Sequence, residues 1–142
     1  DLTQARVAQG AFGFKFGVPS DADLLFDVRF LDNPYFVDEL RPLTGEDERV
    51  REHVMRDPDA HALLDKLTDL LRFLLPRYES EGKSYLTVAI GCTGGQHRSV
   101  SIAILLCEAL TNASFAVRVV HRDALPAGGH AARAAERGPH AG

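Results

Sequence analysis

The chain has 142 residues, 45% of them hydrophobic and 25% charged, with a formal net charge of -4. That length suits one domain burying roughly two thirds of its unfolded surface. The mildly acidic balance argues against a partner that needs a broad basic surface but leaves room for a local basic patch.

The two cysteines, Cys92 and Cys107, fall in a glycine-rich stretch and in the apolar pattern after it. They make no disulfide framework, which points to a reducing, cytoplasmic setting. No apolar run approaches the roughly 20 residues of a membrane span, and no basic segment with an apolar core marks a signal peptide, so no membrane partner is expected. The sequence does not open on Met, and a domain cut from a longer protein is expected.

Residues 1–11 are weakly patterned, with a short strand predicted around Ala5 to Ala8. Phe12 to Pro19 alternates aromatic residues with glycine, as at a strand end approached closely by other backbone. Lys15 either points outward from three core phenylalanines or faces an anion. Leu24 to Leu31 is a nearly continuous apolar run that fits a strand in a covered sheet. Asp27 and Arg29 interrupt it at a spacing of two, so they share a face and either pair or line a site. Asn33 before Pro34 predicts a turn through Tyr35.

A helix is predicted over about 46–55, N-capped by Thr44 with Asp47 in the capping-box position. Asp57 caps a second helix with Pro58 at its first position, followed by a leucine stripe from Leu63 to Leu75. Pro76 is expected to kink or end it. Tyr85 to Ile90 is the strongest strand pattern, and Ser99 to about Leu110 the clearest apolar helix, with Cys107 in the core. Phe115 to His121 predicts a strand with Val117, Val119 and His121 on one face and Arg118 and Val120 on the other. Residues 123–142, rich in Ala, Gly and Pro, predict a disordered tail. The alternation of strands and helices predicts an α/β fold in one domain over 1–122. The expected form is a three-layer sandwich with a mostly parallel sheet and a glycine-rich anion-binding loop between strand and helix.

That loop is Gly91-Cys92-Thr93-Gly94-Gly95-Gln96-His97-Arg98-Ser99. Backbone N–H groups of a glycine turn and a helix start can converge on one anion, and Arg98 can grip two phosphate oxygens. No Lys follows the glycines, so this is not a nucleoside-triphosphate P-loop, and the spacing is wrong for a dinucleotide fingerprint. Cys92, five residues and Arg98, then Ser99, match the cysteine-dependent phosphatase loop, in which a thiolate attacks phosphorus. Its general acid has only uncommitted candidates in Asp27, Asp32 and His97. Cys92 is otherwise a small hydrophobe packed under the loop. His97 reads either as a ligand donor or as a brace. Lys15, Arg29, Arg98, Arg118, His121 and Arg122 could form a small patch for a phosphate or one RNA backbone segment. His53, His61, His130 and His140 lack metal-ligand spacing, and no metal is expected.

Taken in order, Gly13 to Pro19, Asp21-Ala22-Asp23, Asp27 to Leu31, Asn33-Pro34-Tyr35, Arg41 to Gly45 and Tyr85 to Val100 resemble the C-terminal domain of the RapZ/YvcJ family. The resemblance covers about Ala11 to Arg122. These are RNase adapter proteins, also described as nucleotide-binding proteins. It implies a non-catalytic domain, without a cofactor of its own, resembling a subdomain of phosphofructokinases. ATP or GTP would belong to a preceding P-loop domain. It further implies sensing of an amino-sugar phosphate or nucleotide-sugar metabolite, with glucosamine-6-phosphate the type case. The other implied partners are small regulatory RNA, an endoribonuclease and further copies in a homo-oligomer. Thr93, Gly94, His97 and Arg98 would hold the phosphate-bearing ligand, with Lys15, Asp27, Arg29, Asn33 and Tyr35 as the neighbouring wall. The chain departs from enterobacterial members at Gln96, where they carry Lys, and after His121-Arg122, where they carry a basic tail. Fewer cations release fewer counterions, so ligand sensing carries over better than RNA binding.

Overall fold

The structure, a computed structural model, describes residues 6–83 and 85–125. Four strands, β1 (Arg6–Gly13), β2 (Leu24–Asp27), β3 (Tyr85–Cys92) and β4 (Ala116–His121), form one sheet in the order β2-β3-β1-β4, every pair parallel. The helices are α1 (Glu48–Val54), α2 (Pro58–Ser80) and α3 (Arg98–Asn112). The parallel sheet flanked by helices is the α/β architecture that the sequence predicts. The crossover from β3 through α3 to β4 passes over β1, which lies between the two strands.

Alternation along the strands decides what each face holds. Val7, Ala11, Leu86, Val88, Ile90 and Cys92 share one face and enter a single core with Leu67, Leu71 and Leu75 of α2 and Ile102, Leu106 and Leu110 of α3. Each of these is no more than 4% exposed. Fully burying a leucine- or isoleucine-sized side chain is worth about 1.5–3 kcal/mol, so this face dominates the stability.

Several boundaries differ from the sequence expectation. β1 runs to Gly13, beyond the short strand foreseen near Ala8, because both of its edges are paired. β2 stops at Asp27, whose Oδ1 accepts the Arg29 backbone N–H (2.9 Å) and turns the chain. α1 is capped by Asp47 rather than Thr44; Thr44 Oγ1 instead accepts from the Glu46 N–H one turn earlier. Pro76 neither ends nor breaks α2, which continues to Ser80. Cys107 is half-buried and faces Thr111 (4.0 Å), so it is not a core residue. Packed chain also continues past Arg122, with Leu125 3% exposed. The remainder of the tail expectation, residues 126–142, lies outside the described residues.

Candidate ligand-binding site

The carboxyl ends of parallel strands are where α/β sheets place their sites, and β1, β2 and β3 deliver Gly13, Asp27 and Cys92 there side by side. Gly13 must be glycine: an added Cβ would lie 2.4 Å from the Gly94 carbonyl carbon. Gly95 turns the loop at φ +76, a conformation that L side chains rarely adopt. The loop is then fastened on three sides. Lys15 N–H donates to Thr93 O (3.1 Å), Val28 N–H to Gly91 O (2.9 Å) and Gly45 N–H to Gln96 O (2.8 Å).

Arg98 lies beneath this arrangement, 4% exposed. Its Nη1 donates to the carbonyls of Arg29 and Leu31, and its Nη2 to Thr93 Oγ1 (3.3 Å). Nε has no partner among the described residues. Burial pulls the guanidinium below the usual arginine value, while Cys92 and Asp27 push it back up. Above it, Arg29 clamps Asp27 through Nε (3.0 Å) and Nη2 (2.7 Å), with both side chains nearly half exposed. The same guanidinium stacks 4.0 Å from the Phe14 ring centroid. The Arg29 hydrogen bonds, helped by its charge and by that of Arg98, hold the Asp27 carboxyl below its ordinary value against the opposing effect of burial.

The rest of the loop is mostly structural. His97 is 1% exposed, and its Nε2 lies 3.2 Å from both Leu40 O and Arg41 O. Burial pushes its pKa down to about 4. Two carbonyl acceptors fix the neutral tautomer with the proton on Nε2. Gln96 holds the end of the domain: Nε2 donates to Asp123 O (3.0 Å), and Oε1 accepts from Leu125 N–H (3.1 Å). The Cys92 thiol is fully buried and donates to Ser99 Oγ (3.2 Å). Arg98, Ser99, Val100 and Ser101, which open α3, are buried, with the Gly45 turn against them. Within 91–99 only Thr93 is not buried; it is joined through its carbonyl to the Lys15 backbone and through Arg98 to the Asp27–Arg29 pair, and these residues make the loop's accessible rim.

Residues 5–125 match the family model described as RapZ C-terminal domain. The chain belongs to that family. Among curated relatives, this RapZ C-terminal domain is 61% identical over 113 residues to a nucleotide-binding protein of Anaeromyxobacter sp. (strain K), covering 80% of this chain and 38% of the relative. It is 57% identical over 113 residues to one of Caldanaerobacter subterraneus, covering 80% and 40%. To one of Sorangium cellulosum it is 59% identical over 114 residues, covering 80% and 32%. The chain thus spans about two fifths or less of the length of these relatives.

Not every residue expected at the site of this RapZ C-terminal domain faces the same space. Asn33 Oδ1 caps the turn at Pro34–Phe36 by accepting from Tyr35 N–H (3.1 Å), and the Tyr35 ring lies 5.1 Å from the Arg41 guanidinium. Strand alternation puts His121 on the helix-covered face and Arg118 on the opposite one. Arg122 bonds Gly17 O (2.6 Å) and Asp123 (2.8 Å). The residue reading missed Phe14 as the surface under Arg29, and Asp123, whose Oδ2 accepts from Gly13 N–H (2.8 Å). The aromatic alternation around Gly13 was the available signal for Phe14. For Asp123 there was none, because it opens a stretch with tail-like composition.

Proposed function

We propose that this is a non-catalytic regulatory domain whose Thr93, Lys15, Asp27 and Arg29 rim binds a phosphorylated amino sugar of the glucosamine-6-phosphate class. The observation that carries the reading is the Asp27–Arg29 ion pair held over buried Arg98, whose Nη2 donates to Thr93, the one residue of the glycine loop that is not buried. Thr93 Oγ1, Arg29 and Lys15 would take the phosphate, with Arg98 beneath supplying charge and holding the wall. Asp27 would take the sugar's ammonium by exchanging its Arg29 partner. The family pattern names Thr93 and Arg98 for the phosphate, together with Gly94 and His97, and Lys15, Asp27 and Arg29 for the neighbouring wall. Cys92 is fully buried and bonded to Ser99, which favours a packing role over that of a phosphatase nucleophile.

The relatives carry the name nucleotide-binding protein, and in the whole protein ATP or GTP would be held outside this domain. A cytoplasmic homo-oligomer acting on an endoribonuclease fits the family pattern. Regulatory RNA has less support from these residues, since Arg118 and His121 lie on opposite faces of the sheet.

Calorimetric titration with glucosamine-6-phosphate, UDP-N-acetylglucosamine and inorganic phosphate tests the site. The amino-sugar phosphate should bind saturably and more tightly than phosphate. Thr93→Val and Arg29→Ala should each weaken it about tenfold, or about 1.4 kcal/mol, without moving Tm. Equally weak binding of all three compounds would reduce the site to a generic anion hole. Unchanged affinity in both variants would place the ligand elsewhere.

A further inference from the structure

Sheets whose strands are all parallel are almost always covered on both faces. Here the main core lies on one face; on the other, Phe12 and Phe14 cover the end at Gly91, the segment around Pro19 and Asp21 crosses a further part, and the stretch beside β4 is open among the described residues. Val120 is 53% and Leu25 37% exposed on that second face. Between the Pro19 segment and β4 it sinks into a trough of about 230 Å³ floored by Ala8, Gly10, Thr87 and Ala89. That is below the roughly 300–1,000 Å³ of small-molecule sites, so the trough suits side chains projecting from a docked chain. Its floor admits a close approach, since a Cβ added at Gly10 would meet nothing nearer than Val120 O at 3.9 Å.

The charges are one-sided. Arg118 and Arg122 line the trough on the β4 side, and Arg6 extends the row beside Ala116. Arg122 is engaged by Asp123, but neither Arg6 nor Arg118 has an acidic partner among the described residues. We propose that this face seats an amphipathic helix of a separate protein partner, with small apolar side chains on its buried stripe and Asp or Glu on the flank over β4. A helix is the element that normally covers a parallel sheet. The arginine row fixes its acidic side, and the small floor fixes its small stripe. The trough lies on the sheet face, apart from the Thr93 rim, so the proposal does not depend on the sugar-phosphate reading.

The test is fluorescence anisotropy of the chain with a labelled amphipathic peptide of Ala, Leu and Glu, and with its counterpart carrying Lys for every Glu. The acidic peptide should bind saturably and be released by salt, and the Lys peptide should not bind. Gly10→Leu, which fills open space, and Arg118→Glu, which changes an exposed side chain, should each weaken binding at least about tenfold at unchanged Tm. Absence of acidic-peptide binding, equal binding of both peptides, or full affinity in both variants would overturn the proposal. A concentration-dependent dimer of the wild-type chain that Gly10→Leu dissociates would also overturn it, by giving the face to a second copy.

Discussion

His97 is uncharged at neutral pH, and that sets how the domain responds to acid. Its pKa falls from 6.5 to about 4 on folding, with burial the leading cause. Between those values the unfolded chain binds a proton that the folded chain refuses. The contribution is therefore complete above about pH 6.5 and is lost as pH falls through 4. The size is about 3 kcal/mol. Urea unfolding from pH 7 to 4 should show a decline of that order in the wild type and a flatter profile in His97→Gln, which keeps a donor for the Leu40 and Arg41 carbonyls. An unchanged slope in the variant would assign the effect to another group, with His121, also lowered by burial, the next to examine. The residue types around the loop were legible in the sequence: a cysteine, an arginine and glycines between strand and helix. Which of them face solvent was not, because that depends on the Gly45 turn and the Asp123 segment, contributed from distant parts of the chain.

Helix α2 separates local from non-local information. Its start was readable because the signals are local: Asp57 Oδ1 accepts from Asp59 N–H (2.9 Å), and Pro58 occupies the first turn, where no N–H is needed. Its end was not, because the leucine face overrides the proline. Leu71 and Leu75 are fully buried just before Pro76, and Ser80 Oγ donates to Pro76 O (3.0 Å) beyond it. The proline still costs the helix a hydrogen bond. Pro76→Ala at this exposed position should therefore raise stability by about 1–3 kcal/mol, read as a higher urea midpoint. Asp57→Ala should lower it by about 1 kcal/mol through loss of the cap. A Pro76→Ala protein no more stable than wild type would mean that α2 is bent to fit its proline. The β2 boundary had the same origin as the misplaced α1 cap. In both, a short side chain, Asp27 or Asp47, captures a nearby backbone N–H and decides where the element begins or ends.

At the scale of the molecule, the class of fold was legible and the order of its strands was not. Periodicity identifies strands and helices, whereas the order β2-β3-β1-β4 depends on pairings between residues far apart in the chain. β1 sits in the middle, with Arg6 opposite Tyr85 on one side and Ala116 on the other. Pairings of such long range make folding slow, so refolding followed by stopped flow should take milliseconds to seconds. Deleting residues 6–13 should abolish cooperative unfolding altogether, and a surviving sharp transition would show that the sheet can close without its central strand. The same arrangement bears on synthesis. Of the four strands, β1 leaves the ribosome first, yet its second edge is satisfied only after the last strand has been made. Between the synthesis of β1 and that of its partners it is therefore a ribbon with unpaired edges, and over that interval this part of the nascent chain is most exposed to aggregation and most dependent on chaperones.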